Sequence, residues 1–240
     1  MALVAALLAV WEALVRSGVA PAVLYGRPSG IALKLAAAVA DGSLLRNSWV
    51  TFEEAAIGFV IGSLAGTACG LLLWLSPTVS LTLRPLVVAL NGVPKIALAP
   101  LIIVWFGIEL QSKVASAAIL VAIVALITAQ SGTERSDPDL LMLMRSLGAS
   151  RWVQWRKIVL PSSVPWVLAG LRLNVGFALI GAVVGEYIAS REGLGYLVYY
   201  AGSMYDLNTV WLGIFALMAM AMALAMDAVV TFLQARLRWD

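Results

Sequence analysis

Long apolar runs, parted by short polar stretches, recur along the chain at lengths that suit membrane crossing. A helix needs about 20 apolar residues to cross a hydrocarbon layer. Six stretches approach that length: 2–20, 48–75, 82–106, 112–133, 162–189 and 207–233. The pattern predicts an all-α polytopic membrane protein with about six transmembrane helices. Between the first two spans, Ser29 to Ala40 sets a few polar positions among alanine, leucine and isoleucine at helical spacing and ends at Asp41-Gly42-Ser43, which predicts an interfacial helix. Ser190 to Asp206, with Gly193-Leu194-Gly195-Tyr196, is too polar and glycine-rich for a span and is expected as an outer loop with a short helix. No soluble domain or internal repeat interrupts the pattern, so residues 1–240 are read as one membrane domain.

Glycine and proline subdivide these runs. In the second span Gly58, Gly62, Gly66 and Gly70 recur every four residues and lay a ridge along one helix face. Lipid removes most of the drive to bury apolar side chains, so helices there associate through small residues that let backbones approach. The ridge predicts a closely packed partner helix in this chain or in a second copy, the internal contact being preferred. The third span is broken at Asn91-Gly92-Val93-Pro94-Lys95 and again at Pro100. Each proline removes a backbone donor, and broken helices at membrane depth line cavities or pack inside protein. Lys95, near mid-span, would cost about 2.5–3.5 kcal/mol on insertion scales, so it is read as facing a pathway or as a paired or snorkelling lysine. With Asn91, Pro94 and Pro100 it joins Arg172, Asn174 and Glu186 of the fifth span as a candidate pathway residue. Glu186 is read as an outer gate or, preferably, as a solvated helix end. Asp227 in the last span needs a partner that the pattern does not name.

The stretch between the fourth and fifth spans carries its own signals. Asp137-Pro138 supplies a helix cap and a first-turn proline, so Asp139 to Leu147 is expected as a short helix that Gly148 ends. Ser150 caps a second short helix from Arg151 to about Val159, and Pro161 suits the first turn of the next span. This helix-turn-helix knuckle has apolar anchors at Leu140, Leu143, Met144, Leu147, Trp152 and Trp155. Its basic surface is Arg145, Arg151, Arg156 and Lys157. A helix seated in a partner's groove has that make-up, as does a basic interfacial hairpin. Arg135 and the knuckle cations after the fourth span, with Arg236 and Arg238 after the sixth, predict that the knuckle and both termini are cytoplasmic. Arg16, Arg27, Lys34, Arg46, Lys113 and Arg191 fall on the outer side and leave a modest bias.

Composition narrows the chemistry. A chain that is 62% hydrophobic with 12% charged residues is no ordinary soluble domain. Its net charge of +3 lies mostly in loops beside apolar runs, where topology accounts for it, and implies no nucleic-acid partner. With no histidine and Cys69 as the single cysteine, His-based triads, His metal sites and intrachain disulfides are excluded; Cys69 is read as a small packing residue. No basic region precedes Ala2 to Leu14, and a cut after Ala20 would set Pro21 at the scissile bond, so an uncleaved first span is expected. Glu12 and Arg16 are spaced to pair along that helix. No phosphate-cradling Gly-x-x-x-x-Gly-Lys-Ser/Thr loop occurs. An intramembrane aspartyl protease would need a second carboxylate where Tyr196 stands. An ion-coupled secondary transporter or channel, using Lys95, Arg172, Glu186 and Asp227, is one function that these intramembrane charges would suit.

Several of these segments together resemble one family. They are Trp11-Glu12, Pro28-Ser29, the Gly58-to-Gly70 span, Val93 to Leu101, Trp105-Phe106-Gly107, Ser146-Leu147-Gly148-Ala149-Ser150 and the Ile158-Val159-Leu160-Pro161 that follows Gly148 after nine residues. The chain is similar, from about Trp11 to Trp239, to permease subunits of nitrate-, sulfonate- and taurine-type ABC importers. The resemblance is strongest over Ser146 to Arg172, Val183-Val184-Gly185-Glu186 and Gly193 to Leu197. It implies a type I ABC importer permease fold in a bacterial inner membrane and import by alternating access. Implied with it are a second permease copy, two cytoplasmic ATPase subunits that use ATP and Mg, an extracytoplasmic solute-binding protein, and no cofactor or catalytic residue in this chain. The solute class implied is a small anion, a sulfonate or a vitamin-like precursor. The knuckle then resembles the ATPase-coupling loop (about 135–161), its residues being Asp137, Leu140, Leu143, Met144, Leu147, Gly148, Ala149, Ser150, Trp152, Trp155, Ile158, Leu160 and Pro161. Met142-Leu143-Met144 stand where that family usually has Glu-Ala-Ala, which removes a familiar electrostatic contact with the ATPase.

Overall fold

The structure, a computed structural model, describes residues 2–220, with the backbone alone at Lys95. All regular elements among them are helical. Helix α1 (Ala2–Arg16) gives way at Ser17-Gly18, where Gly18 has φ 79°, so the first expected span is about 22 Å of helix at 1.5 Å per residue. A short α2 (Ala22–Tyr25) and α3 (Pro28–Ala40), the expected interfacial helix, follow. Helix α4 (Ser43–Leu72) runs on through a 3-10 turn to Leu75. Ser76 caps α5 (Pro77–Gly92), and the break at Val93-Pro94 leads by a 3-10 turn (Lys95–Leu98) into α6 (Ala99–Phe106) and α7 (Leu110–Glu134). Then come α8 (Pro138–Ser146), α9 (Arg151–Gln154), a π turn (Trp155–Val159), α10 (Leu160–Ala189), α11 (Leu194–Ser203) and α12 (Leu207–Ala219).

By length and composition, three stretches among the described residues can cross a membrane: Ser43–Leu75, Leu110–Glu134 and Arg151–Ala189. Helices Pro77–Gly92 and Ile96–Phe106, bent by 89°, make a fourth if the pair counts as one span. The sixth expected span is described to Met220; Asp227, Arg236, Arg238 and the C-terminus lie outside the described residues.

One finding corrects the expectation at Pro161. The second helix of the knuckle does not stop before it; it continues through the π turn into α10 as a single 39-residue stretch. Proline cannot donate to the preceding turn and its ring presses on the carbonyl four residues back. The backbone widens just before it, so that the Leu160 N–H bonds the Trp155 carbonyl five residues earlier.

The chain divides into two compact units. Among the described residues the first comprises 2–53 and 183–220. In it α11 and α12 pack through Leu194, Val198, Ala201 and Leu212, with Gly213 leaving room for the Val198 side chain. Trp11 meets Trp211 edge-on at 5.2 Å, and the Glu12 carboxylate accepts from Arg16 Nε (2.7 Å), the Ser29 hydroxyl (2.8 Å) and the Ser29 N–H (3.0 Å). Asp206 caps α12 by accepting from the Thr209 N–H and hydroxyl, and it accepts from Lys34 Nζ at 2.6 Å. Burial alone would raise the Asp206 carboxyl, but the hydrogen bonds from Lys34 and Thr209 outweigh it and hold the group below the ordinary 3.8. A carboxyl depressed in the fold stabilises it above the unfolded value, and that contribution drains away as pH falls through the folded one. We expect Asp206→Asn, which keeps a capping oxygen, to lower the melting temperature in detergent at neutral pH, the deficit closing as pH drops below 3.8. A deficit constant across that range would assign the effect to something other than charge.

The second unit comprises 54–182. Its core is the seam between α4 and α7. Gly58, Gly62, Gly66 and Gly70 are buried against Ala117, Val121, Ala125 and Ala129, a matching row of small residues spaced four apart. A Cβ added at Gly62 would stand 2.7 Å from Val121 Cβ, and one at Gly66 or Gly70 would stand 2.8 Å from the Cβ of Ala125 or Ala129. The ridge thus meets a helix of the same chain. Helix α10 lies equally close to α7, with Gly170 against Thr128 and Gly181 against Ala117. Cys69, expected to pack, is on the exposed face of α4.

Candidate functional site

The knuckle forms in the second unit as its local signals dictate. The Asp137 carboxylate accepts from the N–H groups of Asp139 (2.8 Å) and Leu140 (3.3 Å), satisfying two of the free donors at the start of α8. Gly148 turns the chain with φ 76°, a conformation that costs a β-branched residue dearly. The Ser150 hydroxyl accepts from the Val153 N–H at 3.4 Å and opens α9, while buried Gln154 donates to the Ala149 carbonyl at 2.8 Å and braces the turn from within. On the outside, Leu140, Leu143, Leu147 and Trp152 are exposed beside Met142, with Met144 half-buried. Trp152 stacks on Trp155 at 4.9 Å. Ile158 and Leu160 are half-buried and Pro161 exposed along the stretch that leads into α10. An apolar face on a rigid, doubly capped turn has the chemistry of a helix-in-groove contact.

The pathway candidates scatter. Asn91 lines a cleft of about 210 Å3 between α5 and α7, with Arg84, Val87, Val88, Ile127, Gln130, Ser131 and Glu134. Among the described residues Arg84 and Glu134 form no ion pair, so the cleft presents one cation and one carboxylate to whatever enters. Sequence reasoning missed Arg84, Gln130, Ser131 and Glu134. The signal was present: Arg84 and Asn91 are two helical turns apart, and Gln130 and Glu134 one. Pro94 precedes the 3-10 turn and Pro100 sits in the first turn of α6. The Lys95 side chain lies outside the described residues. Arg172 is exposed on α10, whereas Asn174 is fully buried and donates to the Ser63 hydroxyl at 3.4 Å.

Glu186 is the clearest departure. In place of a solvated helix end, its carboxylate is fully buried in the first unit. It accepts from the Thr51 hydroxyl at 2.6 Å and from the Gly195 N–H at the start of α11. The flanking amides are held as well: Gly193 N–H donates to Asn47 Oδ1 (2.9 Å) and Leu194 N–H to Thr51 Oγ1 (2.8 Å). Gly193, at φ 105°, and Gly195 leave no room for a Cβ, which would overlap the Glu186 carboxylate. The acid is a latch for the 190–195 turn, a carboxylate seated at a helix N-terminus where the dipole favours it.

Comparison with known proteins agrees with this architecture. Residues 58–239 match the family described as binding-protein-dependent transport system inner membrane component. The chain is 31% identical over 210 residues to a protein of Bacillus subtilis named as an aliphatic sulfonates transport permease, covering 88% of this chain and 76% of that one. It is 30% identical over 222 residues to the riboflavin transport system permease RibX of Chloroflexus aurantiacus, covering 91% and 81%. In fold it is similar to a chain of the inward-facing MetNI methionine ABC transporter, with a TM-score of 0.68 at 18% identity over 79% of this chain and 95% of that one. With its all-helical type I importer fold, the chain belongs to the binding-protein-dependent transport system inner membrane components, the permease subunits of ABC importers.

Proposed function

We propose that this importer permease receives its power stroke at the Asp137–Val159 knuckle, from a separate cytoplasmic ATPase whose groove takes Leu140, Leu143, Leu147 and Trp152. The observation that carries the reading is a doubly capped turn that keeps these large apolar side chains in the open. Met142-Leu143-Met144 make the contact apolar where permeases of this kind usually place a glutamate. The working unit is two permease copies, two ATPase subunits that bind ATP and Mg, and an extracytoplasmic solute-binding protein, in a bacterial inner membrane. Both termini and the knuckle face the cytoplasm, and Gly193 to Asp206 faces outward. The solute passes by alternating access along residues that include Asn91, Pro94, Lys95, Pro100, Arg172 and Asn174. A small anion, a sulfonate or a vitamin-like precursor fits the relatives' names and a cleft that contains Arg84.

The test is at Gly148. Nothing stands within 4 Å of a Cβ there, so a substitution acts through backbone strain alone. A left-handed conformation costs an L-residue roughly 1–2 kcal/mol, and Gly148→Val should lower transport per ATP hydrolysed by about tenfold. Gly148→Asn, which tolerates that conformation, should retain most coupling. Reconstituted uptake and ATP hydrolysis on the same vesicles give the ratio; equal coupling in both variants would remove the knuckle from the transmission path.

A further inference from the structure

The end of α4 is finished by side chains from the knuckle. The last carbonyls of a helix lack a full set of intrahelical donors and carry the negative end of its dipole. One carbonyl in the last turn of α4 and one in the 3-10 turn that extends it are met from outside. The Trp155 indole N–H donates to the Leu71 carbonyl at 2.9 Å, and the Arg151 guanidinium donates to the Trp74 carbonyl at 2.5 Å. The same guanidinium lies over the Trp74 ring, 4.7 Å from its centre. Arg151 and Trp155 are four apart, on one helical face. Trp152 stacks on Trp155 from the exposed side, so the apolar surface offered to a partner and the donors that grip α4 are joined ring to ring.

We propose that Arg151 and Trp155 are positioning residues of the transport cycle, fastening the knuckle to the end of α4 so that a push on the knuckle reaches α4 directly. The glycine seam then carries it to α7, one wall of the Asn91 cleft. The inference rests on the knuckle being the ATPase contact, and it adds a route. Without these contacts the knuckle keeps its chain connections to α7 and α10 but loses its grip on α4.

The experiment uses the permease with its ATPase subunits in lipid nanodiscs, in a Cys69→Ser background. Spin labels at Leu64→Cys on α4 and Arg145→Cys on α8 read whether the two elements move together when ATP binds. Thiol reactivity of Val88→Cys, inside the cleft, reads whether the movement arrives. In the otherwise wild-type chain the Leu64–Arg145 separation should be the same with and without ATP, while Val88→Cys reactivity changes several-fold. The double variant Arg151→Gln, Trp155→Phe should lose most of the Val88→Cys response per ATP hydrolysed, and its spin-label separation should shift with ATP. Arg151→Lys alone should keep most of the response, because an ammonium still donates to the Trp74 carbonyl. Trp155→Phe alone, which removes only the indole donor and keeps an aromatic ring, should show a partial loss and serves if the double variant does not fold. A purely architectural role would lower melting temperature and ATPase binding together without parting hydrolysis from the cleft response. A wild-type cleft response in the double variant, or a spin-label separation that shifts with ATP in the wild type, overturns the clamp and leaves the knuckle reading intact. Failure of the wild-type permease to bind an ATPase overturns that reading and the clamp with it.

Discussion

Gly66→Leu is expected to lower the melting temperature of the detergent-solubilised permease sharply. A Cβ at Gly66 alone would stand 2.8 Å from Ala125 Cβ and 2.9 Å from the Ala122 carbonyl carbon, before the rest of a leucine is added. Backbone cannot give way as a flexible side chain does, so α4 and α7 must part, and the dispersion contacts along the row from Ala117 to Ala129 weaken together. Overpacking a close-fitted contact costs about 1–3 kcal/mol and sometimes more; with backbone on the far side the upper end applies. Ala68→Leu is the control, since Ala68 is on the same helix and exposed. It should leave stability nearly unchanged. Equal melting temperatures for the two variants would show that the seam contributes nothing to the fold.

The second large effect is expected at the buried acid. Glu186→Ala removes the acceptor of the Gly195 N–H in a site closed to water, and a buried donor left without a partner costs about 1–3 kcal/mol, while the Thr51 hydroxyl falls back on the Asn47 carbonyl at 3.2 Å. Glu186→Gln keeps one acceptor oxygen and should fall between. Gly195→Ala attacks the same contact from the other side, its Cβ standing 2.6 Å from Glu186 Oε2. Hydrogen exchange should locate the damage: the amides of Gly193, Leu194 and Gly195 exchange faster in Glu186→Ala, while those of α8 keep the wild-type rate. Glu192→Ala is the neutral comparison. Its pair with Arg46 is an exposed one at 3.9 Å, a kind worth about 0–1 kcal/mol. Unchanged exchange at Gly195 in Glu186→Ala would return that acid to the pathway candidates.

Local chemistry was the part of this molecule that the sequence made readable. Asp137, Gly148 and Ser150 specify caps and a turn through their own side chains or lack of one, so the knuckle could be drawn from a dozen residues. The four-residue glycine spacing likewise marked a seam. Its partner was equally open to inspection, since Ala117, Val121, Ala125 and Ala129 repeat the same interval, but valine and alanine in an apolar run carry no signal until a ridge is sought for them. What escaped were features whose cause lies far off along the chain. Glu186 read as a solvated helix end near the outer mouth, while the groups that bury it include Thr51, 135 positions away. Arg84 and Glu134 sit at the ends of apolar runs, where topology alone is enough to explain a charge. Pro161 read as the start of a helix because prolines usually are, whereas the helix runs through it behind a widened turn.

That widened turn bears on how the chain can change length. Each residue in an α-helix advances the face by about 100°, so deleting one between Pro161 and Arg172 would swing Asn174 off Ser63 and Gly181 off Ala117. A π turn holds one residue more than the α-helix around it needs. Removing a residue such as Lys157, which is exposed within the turn, lets that turn close to ordinary spacing while Trp155 below and Gly170 above keep their bearings. The stretch from Trp155 to Val159 is therefore a slack link in an otherwise phase-locked rod, where evolution or an engineer can lose a residue without unscrewing the helix from its neighbours.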